Sequence, residues 1–587
     1  MSEYAAPLAE MRFALDEIAG LDGIAPDLID AVLEGAGKLA GEVLAPLNHP
    51  GDVAGCVIEN GVVRTPKGFP EAYAQFVRGG WNAISFSEEL GGQNLPHSIA
   101  TAVAEMWSSA NVAFALCPTL TISGAAVLEN FGTAEQKRLY LPQLASGEWT
   151  CAMGLTEPQA GSDLGALRTR AVPDGDRFRI KGQKIFITYG EHDWTPNIVH
   201  LVLARLPDAP PGTRGISMFL VPKFLVGPDG KLGARNDLRC VSLEHKLGIH
   251  ASPTCVMAYG DNEGAIGWLV GEPNRGLHAM FTMMNRARLD VGLQGIAIAE
   301  RAYQQARAYA RTRVQGRPAG ASESSAATPI LEHADVKRML LWLRAASEAS
   351  RALAYYAAGE TDRAHTAPDE AARAAAQRRV DLLIPVVKAW SSDLGLEAAS
   401  TNIQVHGGMG FIEETGAAQH FRDARIALIY EGTNGIQAND LVGRKLVRDR
   451  GAAARELVAD MRATVEELVA AAAGTSALGA PLAAGIDALE QATAALLATH
   501  ETDAAQALAG SVPYLRLMGI VSGGWLMAKS ALAALRRIEE GRGDRQFLHA
   551  KIATSRFFAE HFLPQGPALL PAIRGGATVT GFDLDLL

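Results

Sequence analysis

The sequence contains Ile429-Tyr430-Glu431-Gly432-Thr433-Asn434, a carboxylate held between an aromatic residue and a glycine. Taken alone, such a Glu is a solvated acid at a helix start; buried beside apolar groups, it is a general base with a raised pKa. Upstream lies Gln404-Val405-His406-Gly407-Gly408-Met409-Gly410-Phe411, whose glycines let the backbone approach a phosphate closely. Met153-Gly154-Leu155-Thr156-Glu157-Pro158-Gln159-Ala160-Gly161-Ser162-Asp163 offers N–H groups and hydroxyls that can hydrogen-bond a planar heterocycle, although the same composition also makes an ordinary loop. In Lys184-Ile185-Phe186-Ile187-Thr188 the aromatic residue stacks on a ligand or simply fills a core. Asn285 and Arg288 share a helical face, turned to a ligand or to solvent. Tyr309-Ala310-Arg311-Thr312-Arg313-Val314-Gln315-Gly316 carries Arg313, whose planar fork matches phosphate oxygens.

These residues sit on elements that hydrophobic spacing outlines. From Pro26 to about Thr150 the apolar period is helical, and Ala100 to Gly124 reads as one core helix. Between Cys151 and about Gly276 the period falls to two. Residues 177–180 meet 184–187 across Lys181-Gly182 as a hairpin, and Val199 to Leu203 and Ile216 to Leu220 are further strands. Helices return at Ile296 to Arg313, Val336 to Glu360 and Ala371 to Ser400, with Gly316 to Thr328 as a mobile loop. A last helical section, Glu456 to Glu539, is interrupted near Gly474 to Gly485 and followed from Pro564 by an irregular tail. The expected domains are 1–150, 151–276, 277–450 and 451–587.

Composition narrows the class. A chain of 587 residues, 48% hydrophobic and 20% charged, is globular and holds several domains. Its net charge of −10 is scattered, with no basic stripe to neutralise nucleic acid. Five cysteines lie far apart without C-x-x-C spacing, which argues against a disulfide framework or a metal site and for a reducing, cytoplasmic setting. The first residues lack the pattern of a signal peptide, and no apolar run is expected to reach the roughly 20 residues of a membrane span.

In this order, the five motifs and the helical, β, helical arrangement resemble the acyl-CoA dehydrogenase family over roughly Ala25 to Arg450. The resemblance implies that family's fold: an N-terminal α-helical domain, a middle β-barrel-like domain and a C-terminal helical bundle, here with an additional C-terminal helical domain. It implies FAD as cofactor, with Leu155 and Thr156 at the flavin pyrimidine edge, Ser162 near the thioester and pyrophosphate, Phe186 packed on the isoalloxazine and Thr188 at N5. Arg313, Gln315, Gln404, Gly407, Gly408 and Thr433 complete the cofactor site, Arg313 from the neighbouring subunit. Asn285 and Arg288 meet coenzyme A, and Tyr430 and Gly432 flank the substrate. Glu431 becomes the base that removes the α proton while hydride leaves Cβ. The Phe that the family has between Gln315 and Gly316 is absent. The extra length resembles the large bacterial branch that includes methylthiopropanoyl-CoA dehydrogenase. That branch implies 3-methylthiopropanoyl-CoA or another short- or medium-chain acyl-CoA as substrate, an electron-transferring flavoprotein as acceptor and a homodimer. The alternatives are a broad-range fatty acyl-CoA dehydrogenase, or a flavin oxidase or monooxygenase on the same fold.

Overall fold

Period two in the middle of the chain becomes an eight-stranded sheet: β1 (Thr150–Gly154), β2 (Arg170–Asp174), β3 (Arg177–Thr188), β4 (Ile198–Ala204), β5 (Ser217–Pro222), β6 (Leu238–Leu243), β7 (Thr254–Tyr259) and β8 (Ala265–Val270). The spatial order is β6-β7-β3-β8-β5-β4-β1, with β2 also paired to β3; β1 and β4 run parallel and the other pairs antiparallel. The structure, a computed structural model, describes residues 4–322, 324–471 and 475–586, apart from the side chains of residues 285 and 476.

The principal helices are α1 (Leu8–Ala14), α2 (His97–Ala110), α3 (Val112–Phe131), α4 (Gly276–Thr312), α5 (Ala334–Thr366), α6 (Glu370–His406), α7 (Asn434–Asp440), α8 (Ala452–Ala470), α9 (Ser476–Thr502), α10 (Ser511–Glu539) and α11 (Arg545–His561). Two compact units result. One holds Lys38–Pro96 and Ala110–Ala287; the other holds Met1–Gly37, His97–Ser109 and Arg288–Leu587. The first 150 residues therefore contribute to both.

In the sheet unit, alternation sorts the side chains between two cores. Val199, Leu201 and Leu203 of β4 join Met218 and Leu220 of β5 in a core that includes Leu120 and Leu128 of α3. Their neighbours Ile198, Val202, Phe219 and Val221 pack in the opposite core with Ile180, Met257 and Tyr259. Each fully buried side chain of this size contributes about 1.5–3 kcal/mol, so both strands are fixed in register. The expected hairpin at Lys181-Gly182 does not form. β3 runs straight through Gly182, where a Cβ would lie 2.4 Å from Thr169 Oγ1, and the turn falls at Gly175 (φ 67°), joining β2 to β3. The single helix expected from Ala100 to Gly124 breaks at Asn111, whose side chain accepts from Phe114 N and starts α3.

The helical unit is built on close backbone contact between α4 and α6. A Cβ on Gly295 would stand 2.2 Å from Ser391 O, and one on Gly395 would stand 2.6 Å from Gly295 O. α10 meets α6 in the same way, with Trp390 lying over Gly519 and Gly523. A network of buried charge ties the elements together. Arg351 donates to Glu105 (2.6 Å) and Glu300 (2.9 Å), while Lys551 of α11 donates to Glu10 of α1 (2.7 Å) and Glu348 of α5 (2.9 Å).

The interruption expected near Gly474 to Gly485 is narrower, since α9 already begins at Ser476; residues 472–474 lie outside the described residues. From Pro564 the tail is a run of short helical turns rather than irregular chain. Contrary to the expectation from apolar runs, α3 and α10 are long and apolar enough to cross a bilayer. Their apolar windows are 78% and 89% buried, as befits core helices.

Candidate active site

In the helical unit the chain leaves the short helical turn Arg425–Leu428 and makes a strained bend before α7. Glu431 has φ 56° and Gly432 φ 82°, and the left-handed region costs a non-glycine residue about 1–2 kcal/mol. Five side chains hold the bend. The Tyr430 hydroxyl donates to Gln294 Oε1 of α4. Gln437 Nε2 donates to Glu431 O at 3.1 Å, and Lys388 Nζ of α6 donates to Gly432 O at 2.9 Å and Asn434 Oδ1 at 2.8 Å. Thr433 Oγ1 accepts from Ile436 N at 3.2 Å and caps α7. Asn434 Nδ2 in turn donates to Ser392 Oγ (3.1 Å) and Asp393 Oδ1 (2.8 Å). A Cβ at position 432 would lie 2.8 Å from Gln437 Nε2, so the bend takes glycine there for space as well as for φ.

The carboxyl at the centre is left uncommitted. Among the described residues no hydrogen bond reaches the Glu431 carboxylate, and its N–H donates to no protein group. Burial raises its pKa to about 7, against the lowering pull of Arg288 and Lys388. Burial also brings Lys388 down to about 7, opposed by Glu431 and Asp393. Arg288, expected at coenzyme A, is buried against Asp440 (3.4 Å) with its charge felt by Glu431 and its Nε unpartnered. The side chain of Asn285 lies outside the described residues.

Elsewhere in this unit the glycine-rich turn caps α6: Gly407 N donates to Gln404 O, and Gly407 has φ 59°. Gln404, Gly407 and Gly408 are exposed, and Cβ atoms on the two glycines would meet nothing within 4 Å. Tyr309 of α4 stacks on His406 of α6 with centroids 4.2 Å apart, which brings the end of α4 beside this turn. Beyond it Arg313 and Gln315 are exposed, with Gln315 N donating to Thr328 O to close the following loop.

In the sheet unit two of the motifs meet. Lys184 Nζ of β3 donates to Leu155 O and to Glu157 Oε1, both at 2.8 Å, and Ile185 N donates to Thr156 O at 2.9 Å. Glu157 is saturated: Arg168 N (2.6 Å), Thr169 N (3.0 Å), Thr169 Oγ1 (2.6 Å) and Gln159 Nε2 (2.7 Å) also donate to it. Burial would raise its pKa, but Lys184 and these donors outweigh burial and hold it at about 2. Next to Lys184, β3 bulges against β7, with the register shifting between Cys255 and Met257. Phe186 sits in the bulge at φ 61° and is 58% exposed, so it fills no core. Thr188 is half-buried, Leu155 buried and Ser162 exposed, while the Asp163 carboxylate accepts from Gly165 N at 2.9 Å.

Taken separately, the groups in each unit suit one end of a flavin dinucleotide. An aromatic face presented by a strained bulge beside a rigid loop suits a flat ring, and open glycines with exposed Arg313 and Gln315 suit pyrophosphate and adenosine. Lys388, Gln437 and Gln294 lie outside the motifs, and Glu157 and Lys184 stand inside them with no role assigned. One signal was available: a lone Lys within Val386-Val387-Lys388-Ala389-Trp390 marks a buried charge that needs a purpose.

Four family descriptions match the chain: acyl-CoA dehydrogenase N-terminal domain at residues 59–148, middle domain at 152–261, C-terminal domain at 274–446, and acetyl-CoA dehydrogenase C-terminal like at 457–582. The chain is 49% identical to 3-methylmercaptopropionyl-CoA dehydrogenase of Ruegeria pomeroyi, covering 95% of this chain and 96% of that one. It is 35% identical to a broad-specificity linear acyl-CoA dehydrogenase of Mycobacterium tuberculosis, covering 96% of each. The crystal structure of an acyl-CoA dehydrogenase from Bacillus anthracis complexed with FAD shares the fold, with a TM-score of 0.75 at 20% identity over 98% of this chain and 92% of that one.

Proposed function

Since the chain belongs to the acyl-CoA dehydrogenase family and is an FAD-dependent acyl-CoA dehydrogenase, we propose that it oxidises 3-methylthiopropanoyl-CoA or a similar short- or medium-chain thioester, with Glu431 as its base. The observation that carries the role of Glu431 is its uncommitted carboxyl, poised near neutrality on a bend that five side chains hold. Free in water a carboxylate is too weak to ionise a thioester α carbon. A pKa near the working pH brings the base closer to the carbon acid and leaves part of it ionised. The Cα–H bond breaks with its proton passing to a Glu431 carboxylate oxygen, and the unpaired Glu431 N–H is available to the thioester carbonyl oxygen as negative charge grows there. Bound FAD supplies the acceptor for the hydride that leaves Cβ, so that trans-2-enoyl-CoA results. Positioning by Gln294, Gln437, Lys388 and Asn434 keeps the carboxyl where attack on Cα is a step within one complex.

On this reading Leu155, Thr156, Phe186 and Thr188 hold the flavin end of the cofactor, and Arg313, Gln315, Gln404, Gly407 and Gly408 hold the nucleotide end of FAD bound to a second copy of the chain. The exposure of the second group supports a homodimer, and a light-scattering mass near that of four chains would overturn it. An electron-transferring flavoprotein is the acceptor, as in the family at large, and five free cysteines suit a reducing cytoplasm.

The 49% identity with the Ruegeria pomeroyi enzyme favours the methylthio substrate, whereas the Mycobacterium tuberculosis relative favours a broad linear range. A steady-state screen from propanoyl- to palmitoyl-CoA plus 3-methylthiopropanoyl-CoA, with an artificial electron acceptor, separates them. The expected result is the highest kcat/KM on the methylthio or a short-chain thioester; a maximum at palmitoyl would transfer the assignment to the second reading.

A further inference from the structure

We infer that Lys388 is a positioning residue for the base: it pins the Glu431 bend through Gly432 O and the Asn434 side chain, and its ammonium supplies charge that favours the ionised Glu431. The inference rests on Glu431 being the base.

Lys388 is fully buried on α6. A lysine in that position is costly unless its charge and its three donors are used. Among the described residues no carboxylate lies within ion-pair distance of its Nζ, so a structural ion pair does not account for it. Its two hydrogen bonds go instead to the carbonyl directly after Glu431 and to Asn434 Oδ1. The orientation of Asn434 is set by its Nδ2, which faces Ala389 O, Ser392 Oγ and Asp393 Oδ1, so that Oδ1 accepts from Lys388 at 2.8 Å and more distantly from Ser392 Oγ at 3.4 Å. Residues of α6 thus grip the bend from both sides of one amide.

Two cations favour the ionised carboxyl, Arg288 first and Lys388 second, and they differ in their partners. Arg288 of α4 is engaged by Asp440 of α7, and Asp440 also holds Arg444 at 2.6 Å. Asp393 of α6 is met by Asn434 and feels Lys388 ahead of Arg516 and Arg425, and the Tyr430 hydroxyl is given to Gln294. Among the described residues Arg288 has a direct acid partner in Asp440, whereas Lys388 has none and feels Glu431 ahead of Asp393. Its own pKa of about 7 means that the charge is present on the acid side of neutrality, where the base most needs help to stay ionised, and fades above it.

The test is rapid mixing of the purified, FAD-loaded protein with its thioester substrate across pH, following loss of flavin colour. Wild type should show a rate that rises through about pH 7. Lys388→Gln and Lys388→Met remove the charge in two independent ways, so one soluble FAD-loaded variant suffices. Either should move the acidic limb up by about one pH and slow reduction about tenfold on the acid side, converging towards wild type at high pH. Lys388→Arg should keep the limb in place. An unmoved limb in the Gln or Met variant, or a rate lowered equally at every pH, would overturn the inference. Glu431→Gln run alongside separates the two ideas: if it still bleaches the flavin, the base assignment itself is wrong.

Discussion

Each unit contains a glutamate associated with a buried lysine, Glu157 buried and Glu431 half-buried, and the two arrangements behave in opposite ways. In the sheet unit Lys184 donates straight to Glu157, whose remaining lone pairs are taken by Thr169, Arg168 N and Gln159, and the acid sits at about 2. Lys184, pulled down to about 8 by burial against the attraction of Glu157, stays charged at neutral pH. In the helical unit Lys388 spends its hydrogen bonds on a carbonyl and an amide, the Glu431 carboxylate receives none, and the acid rises to about 7. Burial and a nearby cation are common to both. Whether the lone pairs are used decides which glutamate is a fixed strut and which is left free to move a proton.

The contrast is open to direct attack. The largest expected effect is on turnover: Glu431→Gln should lower kcat by at least about a thousandfold while FAD stays bound, read by dye reduction and flavin absorbance. Activity within tenfold of wild type would erase the difference between the two acids. Next, Lys184→Met leaves the Glu157 carboxylate buried without its cation and should cost about 3–5 kcal/mol, seen as a lowered Tm and early FAD release. A variant as stable as wild type would mean that Glu157 is not a strut.

A smaller effect sharpens the comparison through pH. The folded pKa of Glu431 is raised from 4.5 to about 7, so between those values the folded state holds a proton that the unfolded state has lost. Stability contributed at this site therefore falls as pH rises through that window. Glu431→Gln should match wild type in Tm below about 4.5 and exceed it above about 7. Glu157 has the opposite sign: its contribution is full above 4.5 and is lost as pH falls towards about 2, so Glu157→Gln should flatten the acid limb of the stability curve. Smallest in stability is Phe186→Ala. A side chain 58% exposed should change unfolding by less than about 0.5 kcal/mol, yet weaken FAD about tenfold by equilibrium dialysis.

What could be read from the sequence was what lies close together along it. Tyr430 to Asn434 form one bend, and Leu155 to Asp163 one loop, so local residue types already announce their chemistry. Alternation likewise located β4 and β5. The hairpin at Gly182 was misplaced because the reason for that glycine is Thr169 pressing on the strand, a contact between strands that no local pattern records. Lys388 was invisible for a related reason: it reaches a carbonyl 44 residues away, in the bend before α7. For Arg288 helical spacing gives a face, and the contact with Asp440 of α7, 152 residues away, is beyond its reach.

The appended C-terminal helices deserve to be judged by Lys551. Its ammonium sits between an acid from the first helix and an acid from the bundle, so one late cation is the shared counterion of the earliest helix and of the bundle. A version trimmed at Arg450 would strand Glu10 and Glu348 beside one another, keeping only Arg344 against Glu348. Engineering a shorter catalyst from this scaffold would thus require replacing those acids first.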